Sequence, residues 1–286
     1  MPAIPMQKQD STEIPGPGPR GPGSIVAEMF QIYGRHVARM VAIAAIVTVP
    51  LIIAGWAAFG PNFMTVVFSI PGGAPADVNE TALAGVAAYS VLYALGLLAV
   101  TGAVAEAGAR SLSGSNVSVG RAYGIAIRRL PQMLGASVIA AFAIGAPVSL
   151  ATVLSAAIGG IIGGVIVAVT AALVAYVAVR LMFALFIALF EQAGPLTALT
   201  RSWTLVSGAW LRTFGRLLLV SFVIAIMQFA LQLAGSALPG LDAVVVALIV
   251  TPLTVIGNLL IYMDLRSHKE AYTAERLASE LERLPS

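Results

Sequence analysis

From residue 132 to residue 190 the chain is apolar almost without interruption, and Arg180 is the one charged side chain in the stretch. About 20 apolar residues, rising ~1.5 Å each, cross a bilayer core, so this run is too long for a single crossing. It has to turn. Gly159, Gly160, Gly163 and Gly164 supply the turn, or Gly163-Gly164 serves close packing of two membrane helices. Composition agrees: 59% of residues are hydrophobic and 10% charged, whereas a soluble domain carries about 25% charged residues. The chain lacks the polar surface to cover a water-soluble globule. It has no cysteine, which excludes a disulfide framework and a thiolate metal site.

The remaining apolar runs complete an all-α integral membrane protein with six transmembrane helices. They are predicted at 40–59, 83–104, two within 132–180, 217–238 and 243–263. Residues 1–23 hold PGPGPRGPG and read as a disordered tail; 24–266 form the membrane domain; 267–286 read as a charged, solvated helix. Residues 60–80, rich in Pro and Gly, read as a loop, with FMTVVFSI in it too short to span. The segment 181–190 lies at or just under the surface, or extends span four.

Each pair of spans follows a short amphipathic stretch with aromatics and arginine. The first, started by Ser24, carries Val26, Met29, Phe30, Tyr33 and Val37 at helical spacing. The second is capped by Ser118 and runs to Pro131. The third, restarted by Gly194-Pro195, carries Leu199, Trp203, Val206 and Trp210, and is expected to lie flat at the membrane surface over 195–212. Three interfacial helices each feeding a hairpin suggest a threefold repeat, although any membrane hairpin can begin with such anchors.

Charge placement gives the topology. Every Lys and Arg falls in the N-terminal segment, the connection between spans two and three, that between four and five, or the C-terminal segment. The loops at 60–80, 156–164 and 239–242 have none. The basic side is expected in the cytoplasm, with both termini there, in a bacterial inner membrane.

Ionisable groups near membrane depth are costly and often mark functional positions. Here they are Glu106, Arg110, Arg180, Glu191, Arg201, Asp264 and Arg266, with Trp203 beside them. Each also has a structural reading. Glu106 pairs with Arg110 at i, i+4; Asp264 with Arg266 or Lys269; Arg180 snorkels. Gln228, Gln232 and Asn258 add polar positions in spans five and six. The two histidines, His36 and His268, sit at the predicted rim, and no catalytic motif or metal-ligand spacing is present. No cofactor and no nucleic-acid partner is expected.

The run VRLMFALFIALFEQAGPLTALTRSWTLVSGAWLRTFG resembles the glycerophosphoryl diester phosphodiesterase membrane-domain family, at Arg180, Glu191, Gly194-Pro195 and Arg201-Ser202-Trp203. The ending is similar at Tyr262, Asp264, Leu265, Arg266, Lys269 and Glu270; AVAEAGARSLSGSNVSVGRAY is a looser match. In fused relatives a separate barrel carries the phosphodiesterase chemistry, and such a barrel takes about 250 residues. The resemblance therefore implies the membrane module without the enzyme. The expected role is a non-enzymatic module that handles a lipid-like or amphiphilic molecule or supports a membrane partner. The alternatives are a small transporter with a polar midplane cavity holding Gln228, Gln232 or Asn258, and a structural scaffold with a dry core.

Overall fold

The computed structural model describes residues 21–60, 80–235, 244–270 and 272–284. Most of the 1–23 tail, the 60–80 loop with its short apolar segment, and the Pro239-Gly240 turn lie outside the described residues. The chain is helical, with no strand among the described residues. Its helices are α1 (Pro22–Arg35), α2 (Val37–Phe59), α3 (Glu80–Leu112), α4 (Val119–Ile158), α5 (Gly160–Leu181), α6 (Ala184–Phe190), α7 (Pro195–Val206), α8 (Trp210–Gly235), α9 (Thr251–Glu270) and α10 (Ala274–Arg283). A π-helical stretch, Val246–Val250, leads into α9. Six segments are long and apolar enough to cross a membrane: Val37–Phe59, Ala84–Leu112, Val119–Ile158, Gly160–Phe190, Trp210–Leu233 and Val246–Glu270. This is a multi-pass membrane protein.

The last of these segments is its axis. Two thirds of its apolar window (67%) is buried inside the protein, against 6% for α4 and 6% for the α5–α6 segment. It packs against α1, α2, α3, α7 and α8. The α4–α5 pair stands at the edge, and its exposed Val, Ile, Leu and Phe side chains suit lipid contact. The turn between α4 and α5 falls at Gly159 and Gly160, with φ of 65° and 57°, a region that glycine enters without strain. Gly163 does the other job foreseen for these glycines. A Cβ there would lie 2.8 Å from the Ser155 carbonyl oxygen, so its bareness sets the approach of the two helices.

Several boundaries differ from the sequence reading. The stretch from Ser118 to Pro131 is no separate helix; it forms the first turns of α4, which continues through Pro131 and Pro147. At ~1.5 Å per residue its 40 residues reach about 60 Å, twice a ~30 Å bilayer core, which leaves Arg121, Arg128 and Arg129 room outside the hydrocarbon. Residues 181–190 extend the fourth apolar segment, Gly160–Phe190, as the second reading of this stretch has it. The chain breaks at Met182–Phe183, and every residue of α6 except half-buried Leu185 is buried. A helix apolar on all sides belongs in a core.

The amphipathic helices turn their apolar faces to the protein. In α1 the buried side is Ile25, Met29 and Ile32, docked on α9, while Phe30 is exposed; Val37, also exposed, opens α2 instead of continuing α1. In α7 it is Ala198, Leu199, Ser202, Leu205 and Val206, with Trp203 at the rim. That helix stops at Val206. Gly208, at φ 75°, turns the chain, and Trp210 opens α8, so 195–212 is two helices rather than one flat one. Asp264 and Arg266 lie inside α9, which runs on to Glu270, past the expected boundary at 266. The C-terminal helix α10 exposes charge on one side only, since Leu277, Leu281 and Leu284 are buried.

Candidate functional site

Charged side chains from six of these helices meet at one end of the bundle. The local sequence explains why. α6 is wholly apolar and ends at Glu191, the first polar residue after it. Gln192 takes a left-handed conformation (φ 54°), unusual for a residue with a side chain, and Gly194-Pro195 then starts α7 on a new course. About two helical turns into α7, Ser202 faces the break between α5 and α6. Its Oγ donates to the Arg180 carbonyl at 2.7 Å and accepts from the Phe183 amide at 3.3 Å, which satisfies backbone groups freed by the break.

Around Glu191 the charges form a network. Arg201 Nε donates to Glu191 Oε2 at 3.1 Å, and Arg201 Nη2 donates to Glu270. The Tyr262 hydroxyl donates to Glu191 Oε1 at 3.0 Å. Arg266 Nε donates to Glu270 at 3.1 Å, and its two terminal nitrogens donate to the two oxygens of Glu280 at 2.9 Å each. That two-pronged geometry is the strongest form of an arginine–carboxylate pair. The Arg266 guanidinium sits 3.8 Å from the Tyr272 ring centre, and Tyr272 donates its hydroxyl to Glu280. Burial, and then the hydrogen bond to Glu280, pushes the Tyr272 hydroxyl well above the ordinary tyrosine range. For Arg201, burial alone would weaken the guanidinium; Glu191 and Glu270 outweigh it and raise it. The Tyr262 ring is flanked by Phe183, Phe186 and Phe190, with centroids 5.7–6.4 Å away, so the network rests on an aromatic floor.

Two further ion pairs and the Arg180 guanidinium border this centre. Glu106 pairs with Arg110 as the spacing predicts, and Arg110 Nη2 also donates to the Leu281 carbonyl of α10 at 3.3 Å. Asp264 pairs neither with Arg266 nor with Lys269. Its partner is Arg216 of α8, and His268 Nδ1 lies 3.5 Å from its other oxygen. The reason is helical geometry: residues two apart point about 200° apart around the axis, so Asp264 and Arg266 face different neighbours. Arg180 does more than snorkel. It donates to the Trp203 carbonyl at 3.1 Å, Ser207 Oγ at 2.6 Å and the Tyr176 hydroxyl at 2.5 Å, between the Tyr176 and Trp203 rings.

All eight residues singled out from the sequence therefore take part in this charged cap or its borders. The sequence reading did not single out Arg216, Glu280, Tyr272 or Ser207, and named Glu270 only within the resemblance. Arg216 had one available signal: it starts an apolar span at the depth where Asp264 ends another. Beside the cap opens a cleft of about 560 Å³ lined by Phe190, Glu191, Gln192, Arg266, Glu280 and Arg283. Five of its six lining residues are polar or charged and Phe190 is the apolar one, so the cleft suits the polar head of an amphiphile, whose apolar body would lie along the exposed apolar helices. Comparison of the chain with family models, with curated proteins and with solved structures found no match.

Proposed function

We propose that this chain is a non-enzymatic inner-membrane module that holds a lipid-like or amphiphilic molecule at a charged, cytoplasmic cap. The observation that carries the reading is the cleft beside Glu191 and Arg266, polar at its rim and set at the end of apolar helices. Its cytoplasmic placement rests on the lysines and arginines: those of the described connections gather at the cap end, and the Gly159-Gly160 turn has none. In this arrangement the spans pair as three hairpins, and α1 and α7 lie at the membrane boundary while their apolar faces hold the bundle. Membership of the glycerophosphoryl diester phosphodiesterase membrane-domain family is part of the proposal. The Glu191, Gly194-Pro195 and Arg201-Ser202-Trp203 residues that carry the resemblance are neighbours in the cap.

The test is Trp203→Ala. Trp203 is partly exposed at the rim and stacks on Arg180. The protein is purified from native membranes and its bound lipids are identified by mass spectrometry. If the cap holds an amphiphile, the variant keeps its melting temperature and loses a species that the wild type retains. Yield and melting temperature falling together, with no lipid retained by either protein, would make the corner a structural clasp and end the reading.

A further inference from the structure

Most of the cap's cations are matched by carboxylates, but three near the turn between α7 and α8 are not. Arg180 reaches Ser207 Oγ, and from the other side Lys269 Nζ donates to the Ser207 carbonyl and, at 3.2 Å, to the Thr204 carbonyl. Their hydrogen-bond partners are thus carbonyls and hydroxyls. Glu270, next to Lys269 in sequence, is already engaged by Arg201 and Arg266. Arg212 is exposed and lines a second cleft, of about 590 Å³, with Gly208, Ala209 and Leu211. Arg180, Arg201 and Arg212 are close enough to repel the Lys269 ammonium, and Glu270 is the one carboxylate close enough to attract it. Three positive charges gathered around one turn, none ion-paired with a carboxylate among the described residues, form a field that an anion would relieve. The surroundings favour an anion on an apolar body: Tyr176 meets Trp203 in a T-shaped contact and Trp210 at a tilt, and Leu211, next to Trp210 in the chain, is exposed.

We infer that the Ser207–Ala209 turn, with Arg180, Lys269 and Arg212, binds the phosphate of an anionic headgroup. Arg212 supplies the mobile contact; Arg180 and Lys269 are fixed by their bonds to Ser207 and supply the field. This rests on the reading of the protein as a lipid-handling module and names the class of lipid.

The test uses the full chain in nanodiscs of phosphatidylcholine with a minor fraction of phosphatidylglycerol, and native mass spectrometry to count retained lipids. The wild type should keep phosphatidylglycerol in preference to phosphatidylcholine. Arg212→Gln with Lys269→Gln should lower that preference about thirtyfold, as expected for two cations acting near a membrane surface at about 1 kcal/mol each. Arg128→Gln, an exposed cation on α4, is the control and should leave it unchanged. Equal loss in the control, or no loss in the double variant, would overturn the site, since generic surface charge would then explain the binding. A second arm adds millimolar inorganic phosphate to phosphatidylcholine discs. Binding of phosphate that the double variant abolishes would support the same phosphate chemistry with a soluble source; its absence alongside lipid retention identifies the lipid. If the wild type retains an uncharged amphiphile but shows no preference for phosphatidylglycerol, the anion site fails while the module reading survives. Retention of no lipid at all would end both.

Discussion

Asp264→Leu is expected to destabilise the purified protein by about 3–5 kcal/mol, because it leaves the Arg216 guanidinium inside the bundle without the carboxylate that faces it. Asp264 is fully buried, and Arg216 has 5% of its side chain exposed. Arg216→Leu alone should cost a similar amount for the converse reason. The double variant, Asp264→Leu with Arg216→Leu, should recover most of the loss. Buried ion pairs gain little over an apolar pair of similar volume, so the penalty comes from stranding one charge rather than from losing the attraction. Thermal melting in detergent measures all three. Costs in the double variant equal to the sum of the singles would mean that the two residues act independently.

The second large effect is expected at Arg266. It binds both oxygens of Glu280, bonds Glu270 and lies over Tyr272, so Arg266→Leu leaves three carboxylates, Glu191, Glu270 and Glu280, close together with one guanidinium fewer. The expected loss is about 3 kcal/mol or more. Arg266→Lys keeps the charge but not the planar fork, and should recover only part of it. The same contacts tie α10 to the bundle, together with Leu277 and Leu281. Release of α10 should therefore accompany the loss, read as faster tryptic cleavage after the exposed Arg276. An Arg266→Leu protein that melts lower but keeps α10 protected would assign the docking to the leucines alone.

The spans were legible because they follow from length and apolarity, which need no partner to be read. The cap residues were legible for a related reason: a charge beside hydrocarbon is costly, so each of Glu106, Arg180, Glu191 and Asp264 stood out singly. Their partners did not. Which acid faces which base depends on how α8 and α9 turn about their axes, and Asp264 found Arg216, 48 positions away, instead of its near neighbours. The burial of α6 was hidden as well, because an all-apolar stretch of ten residues suits a lipid surface and a protein interior equally until its neighbours are known. Similarly, the helical spacing of Leu199, Trp203, Val206 and Trp210 is real as far as Val206, but it runs across a turn at Gly208 that the periodicity does not register.

The central claim is that the paired charges form one cap and that the cap faces the cytoplasm. The chain has no cysteine, so single cysteines report position cleanly. Ser115, exposed in the connection between α3 and α4, lies on the cap side; Ile161, 87% exposed, lies at the opposite turn. In intact cells a membrane-impermeant thiol reagent should label Ile161→Cys and leave Ser115→Cys untouched until the membrane is opened. Labelling of Ser115→Cys from outside, with Ile161→Cys protected, would contradict the placement of the cap.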